Sequence, residues 1–319
     1  MKKRIFLAFV IFSAINYGFS QNESIKELVE KTNGMNLGML ELTDFAKEHL
    51  KDKQELARFF YYWTSTNIEY DHKSLNEKKE GIISLKEYSI RQEEYKVYKN
   101  RKGVCAGYSN LFKWFMDAVD IEAVIISGHI RDERNHYVEL TKDDNFRHAW
   151  NAIKLNGKWT LIDTTWGTSN ESTTSEFYFD IKPEWSIITH FPEDSKWQLL
   201  KRPLSLEEFN NSQFVKPIWF KVGFTEIPKL MADHEYYYFK YQNIPNNKWL
   251  IGLQFSTDNI DFKAISDIKV IEEGGFTYFR FGKAQIPETT FFKVKIAKFE
   301  NLNDGFSKVE YDDVINFKI

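Results

Sequence analysis

Apolar positions along the first two hundred residues recur at helical spacing, and after that the period shortens. In 53–67, Leu56, Phe59, Phe60 and Trp63 fall on one face, which predicts an amphipathic helix. A second stripe, Tyr108, Leu111, Phe112, Phe115, Met116 and Val119, begins just after Gly103 interrupts a charged segment. Shorter helices are predicted over 24–31 and 44–50, with one more near 85–98 inside a polar, lysine-rich stretch expected to rim a cleft. Residues 123–128 read as a buried strand, 136–140 as another, 147–163 as a hairpin, 177–179 as a short strand and 206–209 as a helical turn. The segment 68–71 reads as a helix end. From about Phe214 the pattern turns to short aromatic and β-branched runs at 218–224, 236–241, 249–255, 268–272, 276–281 and 291–299. Turn signals at Pro245-Asn246-Asn247 and Gly274-Gly275 separate some of them. The expectation is an α+β domain over 21–213 followed by an all-β sandwich of immunoglobulin-like type over 214–319. No internal repeat is visible.

The hairpin can be read at the level of register. Asn156-Gly157 between two apolar runs predicts a two-residue type I′ turn. Leu155 then faces Lys158, Ala152 faces Leu161, Trp150 faces Asp163, and His148 faces Thr165. Asp163 shares a face with His148, Trp150 and Ala152 and lies diagonal to His148, at a Cβ separation of roughly 6–8 Å. A hydrogen bond from His148 Nδ1 to Asp163 is expected, leaving Nε2 for a further partner.

That partner is the chain's one cysteine. Three residues before Tyr108 on the apolar stripe stands Cys105, in the first turn of its helix, where unpaired backbone N–H groups and the helix dipole favour an anion. An adjacent imidazolium would lower the thiol further from its usual value of about 8.5. Cysteine, histidine and aspartate in this order suggest nucleophile, base and orienting acid. Each has a plainer reading: a buried small hydrophobe for Cys105, a structural histidine for His148, a turn-capping carboxylate for Asp163.

Three blocks, Gly-Val-Cys-Ala-Gly-Tyr at 103–108, His-Ala-Trp-Asn at 148–151 and Trp-Thr-Leu-Ile-Asp-Thr-Thr-Trp at 159–166, resemble the transglutaminase-like branch of papain-like cysteine enzymes. A fourth, His-Phe-Pro-Glu-Asp-Ser-Lys-Trp-Gln-Leu-Leu at 190–200, resembles the segment after the catalytic core in the kyphoscoliosis peptidase group. The resemblance spans roughly 50–215. It implies that Cys105, His148 and Asp163 are the catalytic residues of a thiol acyl-transfer fold acting on protein or peptide amides, with peptidase favoured over cross-linking. The rival reading is an inactive binding or scaffold protein on the same fold. Trp150 and Trp166 are expected as core or cleft walls, and Gln92 as a candidate second oxyanion donor. His190 reads as structural.

Composition narrows the remaining classes. A net charge of −3 and a pI near 6.2 argue against a dedicated nucleic-acid binder. No His-Glu-x-x-His, cysteine pair or calcium loop is present, so no metal or other cofactor is expected. The charged runs 77–80 and 131–134 read as solvated loops. Lys2, Lys3 and Arg4, an apolar run from Ile5, then Gly18 and Ser20 have the form of a secretory signal cleaved near Ser20. An exported mature chain without an integral membrane segment is the expectation. The sequence carries no signal of oligomeric state.

Overall fold

The computed structural model describes residues 24–134, 136–141, 146–168, 176–244, 248–286, 291–302 and 305–318. The predicted signal segment and the Pro245-Asn246-Asn247 turn lie outside them. Among the described residues no helix is long and apolar enough to cross a membrane.

The helix Lys53–Asn67 starts where Asp52 Oδ1 accepts from the N–H groups of Gln54 and Glu55 at 2.8 and 3.2 Å. Its apolar face packs on the helix Cys105–Ala118, with Phe60 stacked on Phe115 at 4.4 Å between ring centres. Tyr108, Leu111, Phe112, Phe115 and Met116 are fully buried, and Val119 nearly so, as the stripe requires. Helices Ile25–Asn33 and Met39–His49 complete the cover on this side. The stretch near 85–98 is two helices, Leu85–Arg91 and Glu94–Asn100, broken because Gln92 turns inward and its side chain bonds elsewhere. Glu77 belongs to a helix, His72–Lys79, not a solvated loop, and pairs with Arg91 at 2.6 Å. Instead of a simple helix end, Glu69–Tyr70 forms a short parallel bridge with Lys102–Gly103, tethering the segment that leads into Cys105.

Beside the helices stands a five-stranded antiparallel sheet in the order Phe179–Ile181, Lys158–Ile162, Arg147–Leu155, Ala123–Ile130, His190–Pro192. The hairpin register is the one the Asn-Gly turn sets: Leu155 pairs with Lys158 and Ala152 with Leu161. Asn156 and Gly157 both have positive φ, 50° and 77°, as a type I′ turn demands. The ladder ends at Asn151–Ile162, so the expected pairs Trp150–Asp163 and His148–Thr165 do not form. At Asp163 the chain leaves the sheet because the carboxylate caps the next turn and the Asp163 N–H turns to Tyr178 O at 3.0 Å.

Two further expectations fail because Arg131 and residues 136–140 pack against distant chain, chiefly Ile188 and the segment 209–213. Residues 136–140 are a turn, not a strand. Their polar groups are met by side chains: Leu140 exchanges hydrogen bonds with Asn210, and Tyr137 Oη donates to Asn316 Oδ1 at 2.8 Å. Arg131 is no solvated residue: it is 1% exposed and donates to the carbonyls of Ile188, Phe209, Ser212 and Gln213.

The C-terminal part is a sandwich of a four-stranded and a five-stranded antiparallel sheet sharing one core. Phe239 meets Phe317 and Phe281 meets Phe292 across it, at 6.0 Å in each case. Residues 218–221, predicted within a strand over 218–224, belong to the helix Pro217–Lys221 instead. Pro217 stands at its first position, where the missing N–H costs nothing, and Trp219 and Phe220 anchor it in the core. Strand Phe214–Val215 pairs with strand Gly305–Lys318 at the five-stranded sheet's edge.

Candidate active site

Cys105 opens its helix and is half-buried. The preceding residue, Val104, is the N-cap and offers no side-chain cap; its own N–H donates to Gln92 Oε1 at 2.8 Å. Gln92 reaches this position because Gly107 has no side chain: a Cβ there would lie 2.6 Å from Gln92 Oε1. Gln92 is buried, and its Nε2 has no hydrogen-bond partner.

His148 lies on strand Arg147–Leu155, with Asp163 just past the end of the neighbouring strand, and the two are hydrogen-bonded as expected. The nitrogen is the other one. Nε2, not Nδ1, donates to Asp163 Oδ2 at 2.8 Å, which leaves Nδ1 for the Cys105 sulfur. The ladder ends before the expected Trp150–Asp163 pair, so Asp163 is free of the diagonal placing and its carboxylate meets Nε2 of the ring. The Asp163 carboxylate makes both kinds of contact. Oδ1 accepts from the N–H groups of Thr165 and Trp166 at 2.8 and 3.0 Å, while Oδ2 serves the histidine.

A residue read from the sequence as structural joins them. His190 Nε2 donates to the same Oδ2 at 3.0 Å, and Thr189 Oγ1 lies 2.8 Å from His190 Nδ1. The signal in the sequence was the block at 190–200. Which strand His190 would join could not be read there. Gly128 makes the juxtaposition possible: it pairs with His148 on one side and Pro192 on the other, and a Cβ on it would meet Phe191 O at 2.3 Å and the Trp150 ring at 2.6 Å. Trp150 is 1% exposed and stands edge-on to His190 at 5.0 Å. It is therefore a wall behind the histidines, not a cleft-lining residue. Trp166 is partly exposed. It packs 5.7 Å from His148 and 4.6 Å from His190, and borders an open pocket of about 370 Å³ with Tyr178, Thr189, Arg134 and Lys216.

The electrostatics follow from these contacts. Burial pushes the Cys105 thiol up, but His148 and a backbone contact at Ala149 outweigh it, and the net shift is downward. Burial pulls His148 down; the Asp163 carboxylate and Cys105 raise it further, to about 10. Burial would raise Asp163, yet His148 and His190 hold it well below the ordinary carboxylate range. His190 goes down, dominated by burial, and so stays neutral at pH 7. Two imidazole nitrogens and a carboxylate oxygen within 4.8 Å are also a metal-like donor set. A tetrahedral ion with bonds of about 2.0–2.2 Å needs its donor atoms about 3.3–3.6 Å apart. The observed 2.8 and 3.0 Å are instead hydrogen-bond lengths.

Comparison with known proteins bears on this arrangement. A family profile described as the transglutaminase-like superfamily matches residues 42–164. The kyphoscoliosis peptidase of Mus musculus is 30% identical over 194 residues, covering 58% of this chain and 28% of that protein. That of Homo sapiens is 28% identical over the same length and shares. Hillarin of Drosophila melanogaster is 30% identical over 134 residues, 36% of this chain and 16% of that protein. The chain thus spans less than a third of the length of these relatives.

Proposed function

Because residues 42–164 form a transglutaminase-like domain, we propose that this chain is a thiol enzyme acting on protein or peptide amides, with Cys105, His148 and Asp163 as its catalytic triad. The carrying observation is the buried bond from His148 Nε2 to Asp163 Oδ2, which turns the other ring nitrogen toward a cysteine whose thiol is shifted downward. The thiolate attacks the amide carbonyl carbon, and the resulting oxyanion takes a hydrogen bond from the Cys105 N–H. Gln92, whose Nε2 is unpartnered beside the same helix end, serves as the second donor. His148 gives its Nδ1 proton to the leaving amine as the C–N bond breaks, leaving a thioester on Cys105. Water, deprotonated by His148, then attacks the thioester; the C–S bond breaks, the carboxylic acid leaves and gives its proton to solvent, and the thiolate–imidazolium pair is restored, while an amine in place of water gives a cross-link.

Hydrolysis is favoured over amine transfer, in keeping with the peptidase name of the mouse and human relatives. The form of residues 1–20 supports export before action. We assign residues 21–213 to the catalytic unit and 214–319 to a sandwich that presents or recognises substrate.

The test is the rate of iodoacetamide alkylation of Cys105 across pH. Fast labelling below pH 7, abolished in His148→Ala, is expected; slow labelling with an ordinary thiol profile in both proteins would overturn the reading in favour of a binding or scaffold role. A peptide-library digest with wild type and Cys105→Ala, with and without a primary amine, then separates hydrolysis from transfer.

A further inference from the structure

One oxygen of Asp163 carries two imidazoles, and only one of them faces the sulfur. His190 reaches Oδ2 from strand His190–Pro192 at 3.0 Å, opposite His148 at 2.8 Å, and the two rings lie 5.5 Å apart. The carboxylate is fully buried, and its other oxygen is taken by two backbone N–H groups. His190 is itself 2% exposed, edge-on to Trp150 and Trp166.

The proton on His190 can be placed from its neighbours. A carboxylate oxygen only accepts, so Nε2 carries hydrogen. Thr189 Oγ1, 2.8 Å from Nδ1 and at a longer 3.4 Å from the Ser186 carbonyl, can donate its one hydrogen to a bare nitrogen there. One neutral tautomer satisfies both contacts, and burial beside His148 disfavours a second positive charge.

We infer that His190 is a positioning residue, a permanently neutral second donor that shares Asp163 Oδ2 with His148 and limits how tightly the carboxylate holds the His148 proton. The inference rests on the catalytic reading above. In that reading His148 must hold its proton while the thiolate forms and release it to the leaving amine. A buried carboxylate bonded to His148 alone would favour the first and oppose the second. A neutral donor on the same oxygen spreads the charge and loosens that hold. The other titratable groups that act on Asp163 are Cys105 and three tyrosines, Tyr61, Tyr108 and Tyr178, each tyrosine raised by burial and by Asp163 and hence neutral over the working range. Besides Cys105 and Asp163, His190 is the ionisable side chain packed against His148.

The experiment is ¹⁵N NMR of histidine-labelled protein from pH 5 to 11. His190, identified by its loss in His190→Gln, should keep an unprotonated Nδ1 and a protonated Nε2 throughout, while His148 is doubly protonated at neutral pH. In His190→Phe, which keeps a ring but removes the donor, loss of the His148 proton should move up by about one pH unit, a tenfold change in that equilibrium. In His190→Gln, whose amide can donate to Oδ2, it should stay close to wild type. An upward limb with slowed acylation and unchanged thiolate labelling is not what a merely structural defect produces. A His190 that titrates between pH 5 and 8, or an unmoved or lowered His148 limb in His190→Phe, would overturn the inference. If His190→Phe does not fold, the wild-type tautomer decides it alone. Absence of fast Cys105 alkylation in the wild type would sink the catalytic reading and not the tautomer assignment, so the two failures are distinguishable.

Discussion

His148 and His190 flank one strand: His148 pairs across from Gly128, and His190 from Ile130 on the opposite side. The strand between them has no side chain at residue 128, and the Trp150 ring occupies that space.

Gly128→Ala should therefore damage the site without touching its chemistry. The new methyl meets the Phe191 carbonyl and the Trp150 ring well inside contact distance. Relief requires moving strand His190–Pro192 or Trp150, the wall against both histidines. A loss of about 1–3 kcal/mol in urea unfolding is expected, together with a fall in Cys105 alkylation below pH 7. Retention of both values would show that the strands give way cheaply.

Stability should show a plateau in pH with falls on both sides. If folding turns Cys105–His148 into thiolate and imidazolium, the folded pair holds one proton. Between about 6.5 and 8.5 the unfolded pair also holds one, on the thiol, so this pair contributes no slope there. The raised His148 contributes stability that is lost as pH rises toward about 10, beginning once the unfolded thiol ionises. Below about 6.5 the unfolded histidines, His148 and the depressed His190, take up protons the folded pair and His190 refuse, and stability falls. Denaturant midpoints for wild type and Cys105→Ser from pH 5 to 10 test this. Cys105→Ser removes the thiolate, so a raised His148 now loses stability as soon as pH passes about 6.5. An identical profile in both proteins would rule out the internal proton transfer.

Arg131→Met should loosen the segment 209–213 and Ile188 from the end of strand Ala123–Ile130. The substitution keeps much of the apolar stem but strips hydrogen bonds from the carbonyls of Ile188 and Phe209, which are buried, and of Ser212 and Gln213, which are partly buried. A cost on the order of 3–5 kcal/mol is expected, and Arg131→Lys should recover little because a single ammonium cannot fork to four oxygens. Ile188 directly precedes Thr189 and His190, so alkylation of Cys105 should slow as well. A loss below 1 kcal/mol would mean that water replaces the guanidinium freely.

Much of this was legible in the sequence wherever the cause is local. The stripe from Tyr108 to Val119 and the Asn156-Gly157 turn depend on neighbours within a few residues, and through them the placing of Cys105, His148 and Asp163 near one another followed. Tertiary structure decided what depends on distant chain. It decided which nitrogen of His148 meets Asp163, because that turns on where the ladder stops. It brought in His190, because strand His190–Pro192 joins Ala123–Ile130 by a pairing that no turn announces. It buried Arg131, whose partners Ile188, Phe209, Ser212 and Gln213 lie more than fifty residues away in the chain, and it made Trp150 a wall, since Gly128 lets the ring lie across the strand. Near-neighbour geometry fixes periods and turns, while the protonation and reach of a buried site are set by groups that folding alone brings within hydrogen-bond distance.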